Sequence, residues 1–265
     1  MLAAGGADGA LRLCAGGGQQ SVIPLGRAWL EQLAWSPDGT RCAVAAGREI
    51  VHVDAMGQVG RRSGPLESTV TGLAWRSGGK QLVSSCYGGV RVLEGTALEV
   101  TRRLPWKGSI LTLALSPNGR IVAAGCQDDT VHFWRFANGE DAQMTGYPAK
   151  PTSLSWRADS RALATNGGST ITVWPFDGRG PQGRALLELA GHDKPVSTVV
   201  FAPFGAALAS GCSGGRLCLW APDQSTVPIA SVQMGAGVER LAWGGRDFRS
   251  LAAADAAGVV CVWRV

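Results

Sequence analysis

The stretch SGCSGGRLCLW, residues 210–220, sets Cys212 and Cys218 six positions apart, and His192 stands eighteen residues before Ser210. Thiolate and imidazole are the usual ligands of zinc, and a serine or cysteine beside a histidine is the raw material of nucleophilic catalysis. Either chemistry needs convergence: ligands sit about 2 Å from a zinc ion, and a general base lies about 3 Å from its nucleophile. Where the chain places these residues decides whether they react or pack.

Placement follows from internal repetition. Six segments superimpose on the anchors Trp35, Trp75, Leu115, Trp156, Phe201 and Trp243, spaced 40, 40, 41, 45 and 42 residues apart. Each unit reads as an apolar strand, a Pro/Gly/Asp turn, a strand of small residues, a second turn and a β-rich strand. A fourth strand, such as DAQMTGY (141–147) or ALLELAGH (185–192), precedes the next anchor. Four short antiparallel strands every 40 or so residues make one blade of a β-propeller.

The two ends are shorter. LAAGGADGALRLC (2–14) supplies the second and third strands of a blade without its first, and CVWRV ends the last repeat after its third strand. The count is 26 strands, two short of seven complete blades. The expectation is an all-β, seven-bladed propeller of four-stranded antiparallel blades over 1–265, a single domain whose first and last blades each lack a strand. The partial repeat covers 2–25, full repeats start near 30, 70, 110, 151 and 196, and a three-stranded repeat fills 238–265. The ring is expected to be open or patched at its seam, with a natural product that begins upstream of Met1.

In this register Cys212 lies eleven residues after its anchor, as do Cys86 and Cys126. Cys218 lies seventeen after, as do His52 and His132, and Cys261 matches them after a one-residue insertion. Equivalent positions fall on different blades, and packed sheets stand about 10 Å apart, too far for a disulfide or for shared coordination. The set is read as core packing: seven free thiols, no metal and no cofactor. His192 is read as a structural cap, because its aligned counterparts Trp106, Tyr147 and Leu66 share no catalytic group. No catalytic residue is expected, and the chain is read as not an enzyme. The glycine-rich GGRLC and GGADG join strand to strand, so they lack the helix N-terminus that cradles phosphate. Asp128 and Asp129 are read as turn caps.

The residues Gly191 and His192, SPDG at 36–39, SPNG at 116–119 and the strand-ending Trp134, Trp174, Trp220 and Trp263 resemble the WD-repeat β-propeller family in a degenerate, bacterial-type form. The likeness extends over nearly the whole chain. It implies a noncatalytic protein–protein interaction scaffold, and it makes His192, Ser210 and Trp220 three members of a structural hydrogen-bond tetrad. The fourth, a turn aspartate, is missing near Gly214, and no tryptophan is followed by aspartate. QMTGYPAKPTSLSW and VWPFDGRGPQGR resemble segments of WD-repeat proteins that accompany CobW-type metal-handling GTPases, which implies such a GTPase as a partner.

Charge sorts the surface that remains. The chain carries 25 Lys and Arg against 20 Asp and Glu, a net +5 with a pI near 9.0. The first-to-second turns hold eight basic residues (Arg41, Arg76, Lys80, Arg120, Arg157, Arg161, Arg246, Arg249) against three acidic ones. The opposite face is mixed, with six basic residues against eight acidic. Aromatic and arginine side chains dominate binding hot spots, so Phe204, Arg246, Phe248 and Arg249 in the last two first-to-second turns are the candidate contact for a protein partner. Lys107, Lys150 and Lys194 on the mixed face are the runner-up, and binding of nucleic acid or another polyanion by the basic face is the alternative function. No apolar run approaches the roughly 18 residues that span a bilayer, and the opening residues lack a signal-peptide pattern. A cytoplasmic, monomeric protein without a membrane contact is expected.

Overall fold

A computed structural model describes residues 1–15, 20–178, 180–244 and 249–265. Among them are twenty-six strands in seven antiparallel sheets and no helix, the fold of a seven-bladed β-propeller whose first and last blades have three strands. No helix is therefore long and apolar enough to cross a membrane. Two compact units divide the chain, Met1–Leu113 and Ala114–Val265.

The first unit holds three blades. Blade one is β1 (Leu2–Gly5), β2 (Ala10–Cys14) and β3 (Gln20–Pro24); blade two is β4 (Leu33–Trp35), β5 (Arg41–Ala46), β6 (Glu49–Asp54) and β7 (Val59–Arg62); blade three is β8 (Gly72–Trp75), β9 (Gln81–Cys86), β10 (Gly89–Glu94) and β11 (Val100–Pro105). β12 (Ile110–Leu115) starts blade four, which continues in the second unit with β13 (Ile121–Cys126), β14 (Val131–Arg135) and β15 (Asp141–Met144). Blade five is β16 (Leu154–Trp156), β17 (Ala162–Thr165), β18 (Thr170–Pro175) and β19 (Leu187–Ala190); blade six is β20 (Val196–Phe201), β21 (Leu208–Cys212), β22 (Arg216–Trp220) and β23 (Ala230–Gln233). Blade seven is β24 (Val238–Gly244), β25 (Ser250–Asp255) and β26 (Val260–Arg264). Strands pair in chain order within each sheet, so neighbouring strands of a blade are joined as antiparallel hairpins.

The first-to-second turns are built from side-chain oxygens. In SPDG, Ser36 N donates to Arg41 O (2.7 Å), Ser36 Oγ donates to Asp38 Oδ1 (2.5 Å), and Asp38 Oδ1 also accepts from Thr40 N (3.1 Å). Those donors hold the Asp38 carboxyl down at about 2. Gly39 closes the turn at φ +68°, a left-handed conformation that costs glycine little. SPNG repeats the arrangement, with Ser116 Oγ on Asn118 Oδ1 (2.8 Å) and Arg120 N on the same oxygen (3.0 Å).

The anchors join one blade to the last. Trp75 Nε1 donates to Ala34 O (2.9 Å), Trp156 Nε1 to Ala114 O (3.2 Å) and Trp243 Nε1 to Val200 O (3.2 Å). Each acceptor immediately precedes the anchor of the preceding blade. Behind these bonds, apolar side chains from successive blades interdigitate: Leu11 and Leu13 against Val44 and Val51, Phe133 and Ile121 against Leu163 and Trp174, Ile171 and Leu189 against Phe201 and Leu208. Completely buried leucine and isoleucine side chains contribute about 1.5–3 kcal/mol each, which makes these interblade cores the main favourable term.

Candidate interaction site

The residues that opened the sequence question lie in blade six. Trp220 Nε1 donates to Ser210 Oγ (2.7 Å), and that oxygen lies 2.7 Å from His192 Nε2. Since the indole occupies a lone pair of the hydroxyl, the hydroxyl proton is directed to a neutral imidazole. Neutrality is enforced by burial, the largest cause, with the Arg216 charge adding to it; together they push the His192 pKa down to about 4. Gly191 completes the packing, because a Cβ there would stand 2.8 Å from the Trp220 ring.

A serine hydroxyl beside a histidine has the outline of a nucleophile and its base, but here the pair is sealed from solvent. Ser210 is fully buried, its oxygen already engages two partners, and His192 Nδ1 has no hydrogen-bond partner among the described residues to orient the ring. The place of an orienting turn aspartate is taken by the Lys194 stem, whose Cγ would lie 2.8 Å from a Cβ on Gly214.

Blade five performs the same task with other atoms. Trp174 Nε1 donates to Tyr147 Oη (2.6 Å), which lies 2.8 Å from Thr165 Oγ1, and Thr165 Oγ1 donates to Thr172 O (3.2 Å). Burial drives the Tyr147 hydroxyl up to about 12, so it remains a neutral link. Tyr147 therefore replaces His192 and Thr165 replaces Ser210, and both triads clamp the segment before a blade onto its third strand.

All seven cysteines are free: Cys42, Cys86, Cys126, Cys212 and Cys218 are buried, and Cys14 and Cys261 half-buried. Among the described residues no three His, Cys, Asp or Glu side chains converge as metal ligands would. His132 is buried against Asp141 (2.7 Å) and His52 stacks on Trp75 at 5.6 Å. Across the first strands of blades two to seven the titratable side chains are Glu239 and Arg240 alone.

The candidate contact residues divide. Phe204 is 68% exposed in the β20–β21 turn, and Arg249 is exposed just before β25. Arg246 and Phe248 lie outside the described residues. Lys150 and Lys194 are exposed in the second unit and Lys107 in the first. A cavity of about 300 Å³ opens at Phe201, three residues before Phe204, between Arg157, Arg161, Leu186 and Asp223. The positive turns are also more engaged than a charge count suggests. Arg157 is held by Asp159 and Asp223, both at 2.9 Å, and Arg41 donates to Gly95 O (3.1 Å) above the Trp75 ring. Lys80, Arg120 and Arg161 keep exposed charges.

Two stretches of the chain match a known family model. Residues 99–135 and 183–221 match the family model described as WD domain, G-beta repeat. Both stretches run from a fourth strand through the third strand of the next blade, and the second contains the His192–Ser210–Trp220 triad. The chain is 24% identical over 180 residues to "WD repeat-containing protein slp1" of Schizosaccharomyces pombe, covering 62% of this chain and 34% of that protein. It is 28% identical over 153 residues to the Gallus gallus "Serine-threonine kinase receptor-associated protein", covering 58% and 42%. To the Drosophila erecta "Ribosome biogenesis protein WDR12 homolog" it is 22% identical over 115 residues, covering 42% and 27%. The chain thus spans less than half the length of each of these relatives.

Proposed function

We propose that this chain, a WD-repeat β-propeller, is a noncatalytic scaffold that holds a protein partner on turns at the ends of its blades. The observation that carries the reading is Phe204, a ring 68% exposed at a turn whose flanking strands β20 and β21 are packed into the core. Core-packed strands that carry an aromatic side chain at the tip of their turn offer a partner a positioned contact. Arg249 adds the cation that interface hot spots favour, and the cavity at Phe201 adds a recess of mixed polar and apolar lining. The sealed His192–Ser210 pair supports a structural rather than a catalytic use of the one serine–histidine contact in blade six. One similar protein is named for its association with a kinase receptor, in keeping with a binding role. The cytoplasmic, monomeric state expected from the sequence goes with this reading. The metal-handling GTPase expected as partner rests on segments 143–156 and 173–184.

Affinity capture from the native host, with mass spectrometry of the retained proteins, tests the reading. A Phe204→Ala, Arg249→Ala variant is expected to lose the main partner while melting like the parent, since surface replacements usually shift stability by about 0.5 kcal/mol or less. Capture unaltered in that variant but lost in Lys107→Ala, Lys150→Ala, Lys194→Ala would move the contact to the mixed face. Retention of nucleic acid, falling steeply with salt, would replace the scaffold by the polyanion alternative.

A further inference from the structure

The first unit contains a cleft of about 480 Å³ between the segment after β7 and the start of β11. Four arginines line it, Arg48, Arg61, Arg62 and Arg103, against Glu67 and Glu99. Two of the four are already matched: Arg62 pairs with Glu49 (3.2 Å) and Arg103 with Glu67 (3.3 Å). The others are not. Arg48 Nε donates to Leu66 O (2.7 Å) and Arg61 Nε to Ala97 O (3.3 Å), and neither meets a carboxylate among the described residues.

Each of these two guanidiniums is thus tethered at Nε to the wall of the cleft, with its terminal nitrogens unpaired. Tethering removes part of the side-chain entropy that an arginine loses when it grips an oxyanion, and the planar fork suits a carboxylate. Between them the wall offers apolar surface from exposed Pro65 and half-buried Ala97 and Val100, backed by the buried Leu66 and Leu98. A single carboxylate or phosphate fills only a small part of such a volume, so the shape calls for a longer ligand that also covers the apolar wall. Glu67 and Glu99 oppose a continuous polyanion by like-charge repulsion.

We propose that this cleft binds an extended peptide segment of a partner protein in which acidic side chains alternate with apolar ones, the acids meeting Arg48 and Arg61 and the apolar groups resting on Pro65, Ala97 and Val100. The proposal is independent of the Phe204 surface, which lies in the other unit, and either can fail alone.

The probe is a fluorescein-labelled Gly-Glu-Leu-Glu-Leu-Gly peptide followed by anisotropy with the full chain, beside the same peptide carrying Gln for Glu, and with inorganic phosphate as competitor. Saturable binding of the acidic peptide is expected, at least about tenfold tighter than of the Gln peptide, because a charge-assisted pair is worth roughly that factor. Arg61→Ala on the exposed β7 should weaken it by about tenfold as well, and Arg61→Lys by less, since the charge survives while the fork is lost. Arg48→Ala is the second variant, each checked by its melting curve. Equal affinity for the two peptides, or parent-like binding by a folded Arg61→Ala, would overturn the proposal. Displacement by phosphate at concentrations comparable to the peptide would also overturn it, by showing a cleft that recognises oxyanions alone.

Discussion

Replacing Trp156 by Ala is expected to destabilise the protein by about 3–5 kcal/mol, the usual cost of deleting a large buried aromatic. Trp156 is 7% exposed, meets Phe176 edge-to-face at 4.6 Å, and packs with Phe133, Leu163 and Trp174 while its indole reaches Ala114 O at 3.2 Å. Alanine would forfeit the packing of two blades and the bond between them. Trp156→Phe should cost less, about 1–2 kcal/mol, because a large ring is kept and the hydrogen bond to Ala114 O is lost; Phe201 fills the same repeat position in blade six without an indole. Urea denaturation at neutral pH measures both. A loss below about 1 kcal/mol for the alanine variant would contradict the anchor's role in joining blades.

The second large effect is acid lability centred on buried histidines. Burial, followed by the charges of Arg41 for His52 and Arg216 for His192, pushes both pKa values down to about 4 from an ordinary 6.5. His132 is also lowered by burial, with Asp141 opposing the shift. With the folded values depressed, the unfolded chain takes up protons first as pH falls below 6.5, so stability is intact above that value and is lost down to about 4. His52 and His192 would each withdraw about 2 kcal/mol by pH 5 and about 3 kcal/mol by pH 4. Asp8 and Asp38, held near 2, titrate below this window. Unfolding free energies measured at pH 7, 6 and 5 should therefore fall steadily; a flat profile would mean that these imidazoles are solvated or charged in the folded protein.

The architecture was legible in the sequence because anchors 40 to 45 residues apart repeat one unit, and a propeller blade is that unit. The twenty-six strands and the two three-stranded ends follow from the same register. Much of the side-chain chemistry was not legible, for reasons of distance along the chain. Tyr147, one of the counterparts that share no catalytic group with His192, carries a structural role at that position, where its hydroxyl takes over the imidazole's bond. The signal was present in the spacing, since Tyr147, Thr165 and Trp174 stand 18 and 9 residues apart and His192, Ser210 and Trp220 stand 18 and 10. Asn166 gave no such signal. It accepts from Thr152 N (2.8 Å) and Ser153 N (2.9 Å) and donates to Val196 O (2.8 Å), a bridge from blade five to blade six that only the folded arrangement creates. The pairing of Arg157 in these basic turns was likewise not legible, because Asp223, which holds it, lies 66 residues away.

Hydrogen exchange of the captured complex, compared with the free chain, tests the central claim that rigid blades present their turns to a protein partner. Slower exchange is predicted in the β20–β21 turn around Phe204 and in the segment entering β25 at Arg249, with the core strands β13, β14, β21 and β22 unchanged. Protection confined to other surfaces, with both of these turns exchanging as they do in the free chain, would contradict the account.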